Sequence, residues 1–251
     1  MIDHLSYTQI NMYLRCPRQY YFRYCENLIL PPKTAMLQGR CVHKAQEHGF
    51  KKKLEAGRGY KTEECAEVFA DEWSKALEEY EPIFEEDETK YSVLDQGVAL
   101  VRHYGKVVGR YIKPAMVEQE FRLSPWESGP HLVGYIDLVT SQKDLVDLKV
   151  SSRLPNADAI HKDLQLSVYG MGFSALTDSL PRSYRWHMLI RTKVPRVAIL
   201  KTTRDESDFR VFENTAEEVA KGIGAQVFPR RTDGWHCSEK FCGYWPRCMR
   251  R

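Results

Sequence analysis

The chain has 251 residues, of which 43% are hydrophobic and 28% charged, an ordinary globular composition with length for one large domain or one domain with a helical addition. No apolar run approaches the ~18 residues a bilayer-spanning helix needs, and Met1–Tyr20 lacks a signal-peptide pattern, so a membrane protein is disfavoured and a cytoplasmic one expected. The net charge of +3 hides an asymmetry: Glu63–Glu88 holds twelve Asp/Glu and one Lys, a local −11 that leaves +14 for the remainder.

Ser6 is placed to cap a first helix running to about Tyr24, rich in aromatic residues, before Pro31-Pro32 breaks the chain. A second helix is expected from about Ala35 to Ala56, ended by Gly57 and Gly59, with His43 beside Cys41 and Val42. Thr62 should cap an acidic third helix to about Tyr80. Tyr91–Lys113 reads as a fourth, after a loop over Pro82–Thr89. Val117–Leu123 alternates as a strand with Glu118 and Glu120 on one face.

The next stretch, His131–Val150, reads as a hairpin: two apolar runs flank the polar segment Ser141–Asp144. A turn there sets Asp137 across from Asp147, with cross-strand Cβ atoms roughly 4.5–5.5 Å apart. Lys149 shares the Asp147 face, while Val146, Leu148 and Val150 point the other way. Facing carboxylates in an apolar strand pair are costly without positive charge between them. A lysine supplies part of it; Mg²⁺ or Mn²⁺, which take oxygen ligands, supplies more. A purely structural Asp–Lys–Asp cluster is the alternative.

A helix should start at Asn156 or Asp158 and run to about Leu176, carrying Gln165 and Tyr169 side by side. Strands follow near Tyr184–Arg191 and Arg196–Thr202, then a long helix from Asp205 to about Val227. Between Pro181 and Arg204 lie seven Lys/Arg and no acid, a basic segment suited to a phosphate backbone. From Pro229 the tail is irregular and bears Cys237, Cys242 and Cys248; Cys16, Cys25, Cys41 and Cys65 complete an odd count of seven. The sum is an α/β core (114–227) behind a helical N-terminal region (1–113), with a cysteine-bearing tail (228–251), in one domain. No G-x-x-x-x-G-K-[ST] phosphate loop is present, so no ATP-driven motor is expected.

Five motifs occur in order: Cys16-Pro17 before aromatics, Gly39-Arg40-Cys41-Val42-His43, Gly134-Tyr135-Ile136-Asp137, Asp147-Leu148-Lys149, and Gln165-x-x-x-Tyr169. Together they resemble the PD-(D/E)XK nuclease superfamily, in its RecB-like exonuclease branch, across nearly the whole chain. The resemblance implies a restriction-endonuclease-like mixed sheet flanked by helices and a metal-dependent DNA exonuclease. His43, Asp137, Asp147 and the Leu148 carbonyl would ligate Mg²⁺ or Mn²⁺, Lys149 would position the attacking water, and Gln165 and Tyr169 would line the DNA path. A carboxylate from the preceding strand would join them; of Glu118 and Glu120, Glu120 is favoured.

Iron–sulfur members of the group, among them CRISPR-associated, phage and helicase–nuclease proteins, take one cluster ligand near the N-terminus and three near the C-terminus. Cys16, Cys237, Cys242 and Cys248 fit a 4Fe–4S cluster of that kind, which would tie the first helix to the tail and brace the fold against DNA. Zinc is the less favoured rival, with His236 as a substitute ligand; Cys25, Cys41 and Cys65 are expected to be ordinary buried thiols. The implied partners are DNA with single-stranded character at the site and replication or recombination proteins, in the cytoplasm, or the host cytoplasm for a phage-encoded chain. The competing function is a non-catalytic iron–sulfur DNA-binding or adaptor module of a recombination or CRISPR complex.

Overall fold

The computed structural model describes residues 3–57, 59–126 and 129–249. The chain divides into two units, one formed by residues 1–30, 122–134 and 205–251, the other by residues 31–121 and 135–204.

The larger unit contains the helices α3 (Thr34–Ala56), α4 (Thr62–Glu79) and α5 (Lys90–Val107). α3 ends where Gly57 takes φ +58°, the left-handed conformation that glycine adopts without steric cost. α5 begins at a capping box between Thr89 and Ser92, and its Gly97 lets the Phe69 ring of α4 press against the helix backbone. The strands are β2 (Pro114–Leu123), β3 (His131–Thr140), β4 (Asp144–Ser151), β5 (Ser183–Ile190) and β6 (Arg196–Thr202), with β2 and β3 running on into the other unit. β3 and β4 are antiparallel, β4 and β5 parallel, β5 and β6 antiparallel, and β2 pairs with β3.

β4 lies between β3 and β5, which is why its first five residues, Asp144–Leu148, are all buried. Its two faces do different work. Leu138, Val146 and Leu148 join Leu37, Val42, Phe69, Trp73, Leu100 and Tyr104 in one apolar cluster, with Val150 packed against it. That cluster seats α3–α5 on one side of the sheet, and α6 (Leu164–Thr177) meets the acidic groups of the other side. The result is a helix–sheet–helix sandwich.

The smaller unit holds β1 (His4–Leu5), α1 (Tyr7–Arg15), α2 (Pro17–Tyr20), a π-helical turn over Tyr21–Cys25, α7 (Glu206–Gly224) and α8 (Trp245–Met249). β1 pairs in parallel with His131 and Leu132 at the start of β3. Tyr13 Oη donates to the Val227 carbonyl at 2.6 Å, joining α1 to the segment after α7. Tyr13, Tyr20, Tyr21 and Phe228 pack their rings together around this junction.

Three expected elements change shape. The first helix breaks at Cys16, where Pro17 opens a new helix at its first position and a π turn follows. The expected fourth helix stops at Val107, with a 3₁₀ turn over Gly109–Tyr111. The helix after β4 starts at Asp163, whose side chain caps Gln165 N–H at 2.9 Å; Asn156 instead starts a 3₁₀ segment over Ala157–Lys162.

Candidate active site

The β3–β4 hairpin closes through three residues, Ser141–Lys143, with Lys143 at φ +60° and its N–H bonded to the Thr140 carbonyl at 2.8 Å. This turn fixes a register in which Leu138 faces Val146; one residue further on each strand are Asp137 and Asp147. Asp137 Oδ2 accepts the Leu148 N–H at 3.0 Å and lies 3.4 Å from His43 Nδ1, while Leu148 packs its side chain into the apolar cluster. Asp147 Oδ2 sits 2.8 Å from Lys149 Nζ. Among the described residues no donor meets that oxygen in hydrogen-bond geometry, so the ion pair is close but leaves lone pairs open.

α6 closes the arrangement. Lys149 Nζ donates to Gln165 Oε1, Gln165 Nε2 to Tyr169 Oη at 2.8 Å, and Tyr169 Oη to Asp137 Oδ1 at 3.3 Å. The result is a chain of contacts from Asp147 through Lys149, Gln165 and Tyr169 to Asp137. Gln165 and Tyr169 thus stand within this acid–lysine array, four residues apart on one helical face.

Burial raises the Asp147 carboxyl above the usual carboxylate range; Lys149 opposes this and Asp137 adds to it. Burial works against the Lys149 ammonium too, but Asp147, Asp163 and Asp137 outweigh it and its pKa is raised. Asp163, the cap of α6, was not anticipated as part of this field. It accepts from Trp186 Nε1 at 3.0 Å, and its signal in the sequence is an Asp immediately before an apolar helical run.

Glu118, and not Glu120, joins the acidic cluster. The ligand atoms of His43, Glu118 and Asp137 all lie within 4.8 Å of one another, the one such group of three or more His, Cys, Asp or Glu among the described residues. Alternation along β2 puts Glu118 and Glu120 on one face, but Glu118 has φ +47°, an interruption of the kind β-bulges make, and this separates them. Glu120 is exposed and accepts from Tyr135 Oη at 3.0 Å. Glu118 is pushed up to about 7, mainly by burial and then by Asp137 and Glu47. A half-buried carboxyl raised by desolvation and by like charges, beside an imidazole and a second carboxylate, suits a hard divalent cation, which would relieve the repulsion. Asp147 is outside this group of three, on the Lys149 side of the array.

The basic segment after Pro181 is largely committed to structure. Arg182 and Arg185 pair with the buried Asp144, Arg191 with Glu88, and Arg204 is itself buried, donating to the Ile160 and Asp163 carbonyls.

Within the smaller unit, Cys16, Cys237, Cys242 and Cys248 line one pocket of about 370 Å³, a volume that includes space open to solvent. Arg18, Arg230, Arg231 and His236 line it too. Gln19 Nε2 donates to Cys242 Sγ at 3.1 Å. Burial raises the Cys237 thiol, and the thiols of Cys16, Cys242 and Cys248 raise it further. Of the other cysteines, Cys41 and Cys65 are buried as expected, but Cys25 is exposed at the end of the π turn.

A mixed sheet carrying an acidic cluster on one face, helices on both, defines an α/β protein with a candidate divalent-metal site. The sequence profile of the PD-(D/E)XK nuclease superfamily matches residues 4–249, and the chain belongs to that superfamily. Its members use divalent metals and act on nucleic acid. Among solved structures, a "Putative exonuclease" from Eubacterium rectale has the same fold, with a TM-score of 0.67 at 13% identity over 99% of this chain and 89% of that one. The structure of SSO0001 matches with a TM-score of 0.42 at 15% identity over 84% of each chain. No curated protein matches the sequence. No helix of the described residues is long and apolar enough to cross a membrane.

Proposed function

We propose that this superfamily member is a metal-dependent DNA exonuclease, working as one nuclease domain, with a structural 4Fe–4S cluster. The observation that carries the nuclease chemistry is the convergence of Glu118, Asp137 and His43 beside the Asp147–Lys149 pair. Asp137, His43, Asp147 and the Leu148 carbonyl are the proposed ligands of Mg²⁺ or Mn²⁺, with Glu118 in place of Glu120. When bound, the cation supplies Lewis-acid polarisation of the scissile phosphate and acidification of the attacking water. Lys149, held between Asp147 and Gln165, keeps its charge and presents an ammonium to the water or to the developing negative charge. Gln165 and Tyr169 hold Lys149 and Asp137 in a fixed relation and border the path of the strand.

Exonuclease action is favoured over site-specific cleavage because the five motifs, in their order, resemble those of the RecB-like exonuclease branch. The description of the Eubacterium rectale protein points the same way.

For the cluster, the supporting observation is four thiols around one pocket. Zinc sites usually offer paired C-x₂₋₄-C arms, and Cys16 has no near partner at that spacing, which favours iron–sulfur.

The test is cleavage of end-labelled single- and double-stranded DNA in Mg²⁺ or Mn²⁺ by the anaerobically purified protein and by Asp147→Ala. Progressive shortening by the parent and none by the variant is expected. Equal cleavage by both would remove the assignment of this site, and a parent that binds but never cuts would make the chain an adaptor.

A further inference from the structure

Arg196 escapes the pairing that absorbs its neighbours. It is exposed, and so is Arg153 after β4; no ion pair or side-chain hydrogen bond engages either guanidinium among the described residues. Both line a cleft of about 530 Å³, partly open to solvent, together with Ser152, Thr192, Ile190 and Ala198. The Ser151 hydroxyl accepts the Arg153 N–H at 3.3 Å and donates to its carbonyl at 2.8 Å, fixing the backbone that carries this arginine.

The registers place the cleft on the acidic face of the sheet. Lys149 pairs with Met188 and Met188 with Ala198; the next row on that face is Ser151, Ile190 and Arg196. Arg196 is therefore one row along and two strands across from Lys149, roughly 7 Å by roughly 10 Å. A strand entering the acidic cluster has only a few nucleotides to travel to reach it.

We infer that this cleft is a substrate subsite, taking one nucleotide of the strand being cut, its phosphate between the Arg153 and Arg196 guanidiniums. Guanidinium forks match phosphate oxygens in pairs, and Ile190 and Ala198 give the sugar or base an apolar floor. An inorganic phosphate would leave that apolar floor uncovered, which favours a nucleotide over the bare ion. The inference rests on the nuclease reading and adds a place for the substrate.

The test measures binding of a fluorescein-labelled single-stranded oligonucleotide in EDTA, across a salt series, alongside cleavage kinetics in Mg²⁺. For Arg153→Ala/Arg196→Ala, affinity should fall about tenfold or more and KM rise in proportion, with kcat within about twofold. The slope of log affinity against log salt should shrink by about 0.7, the loss of one neutralised phosphate. Arg153→Lys/Arg196→Lys should keep the slope, and Lys201→Ala, in the Val146–Arg185 row of the opposite face, should leave both quantities unchanged.

Parental affinity and slope in the double alanine variant overturn the inference, as does a parent that binds no oligonucleotide. Cleavage by the parent with unaltered binding by the variant removes the subsite alone. Lost affinity in the variant of a parent that does not cleave removes the nuclease reading and leaves the subsite standing.

Discussion

Replacing Glu118 with Gln should stabilise the metal-free protein while weakening its response to divalent cations. Burial, Asp137 and Glu47 raise the carboxyl from 4.5 to about 7, so at pH 8 the folded state carries a charge it resists. The sign follows from the raised pKa: below about pH 4.5 the group is protonated folded and unfolded, and nothing is lost. As pH rises through about 7 the penalty grows to its full size. A shift of this size corresponds to about 3 kcal/mol; because the group is not fully buried, solvent screening reduces it to about 1–2 kcal/mol. For a chain of this length that is a rise in Tm of about 2–8 °C at pH 8 in EDTA, vanishing near pH 4.5. With Mg²⁺ or Mn²⁺ the order should reverse, since a ligand at 100 times its Kd stabilises the parent by about 2.7 kcal/mol and the variant loses a donor oxygen. Thermal melts of parent, Glu118→Gln and Glu120→Gln at the two pH values, with and without cation, measure all of this. A Glu118→Gln protein no more stable than the parent at pH 8 in EDTA, or a Glu120→Gln protein behaving identically, would refute the reasoning.

Tyr169→Phe removes the hydroxyl that joins Gln165 to Asp137; kcat should fall about tenfold or more with little change in KM, and an unchanged kcat would deny the ring a part in positioning. Asp144→Ala leaves Arg182 and Arg185 without their buried partner and should cost about 2–4 kcal/mol in urea unfolding. Arg182, with Ser183 and Arg185, offsets burial and holds the Asp144 carboxyl below its ordinary value of 3.8. Its contribution is therefore complete above that value and fades as pH falls through the depressed one, which an acid titration of parent and variant will show. Gly97→Ala drives a methyl into the Phe69 ring, so unfolding should be easier by about 1–3 kcal/mol despite the better helix propensity. The proposed cluster predicts iron and a brown colour in the anaerobically purified parent and their loss in Cys242→Ser; full iron retention by the variant would count against the four-thiolate cluster.

The hairpin was the legible part of the site. Period-two alternation and a polar four-residue segment were enough to pair Asp137 with Asp147 and to send Lys149 to the acidic face, because a one-residue slip would have exposed Val146 and Leu148. The choice between Glu118 and Glu120 was not legible. It turns on one residue with φ +47°, and no residue type at position 118 announces a left-handed conformation, as glycine would have. The same limit applies to the basic segment: composition shows seven cations but not that Asp144, Glu88 and buried carbonyls claim four of them. The break at Cys16 was readable in principle, since Pro17 favours a first helical position, but the aromatic run beyond it looks continuous.

These features share a cause. The site needs uncompensated negative charge in a place that must otherwise be well packed, and each neighbouring cation limits how much of it is available. Arg182 and Arg185 neutralise Asp144 at the far end of β4, whereas Asp147 receives only a single lysine and Glu118 none within ion-pair distance among the described residues. The one strand therefore carries a satisfied carboxylate at its entrance and an under-satisfied one three residues later. Only the latter keeps an oxygen without a hydrogen-bond donor among the described residues, and this difference in neighbours, invisible in the string D-L-V-D-L-K, is what separates the paired aspartate from the one proposed to act in chemistry.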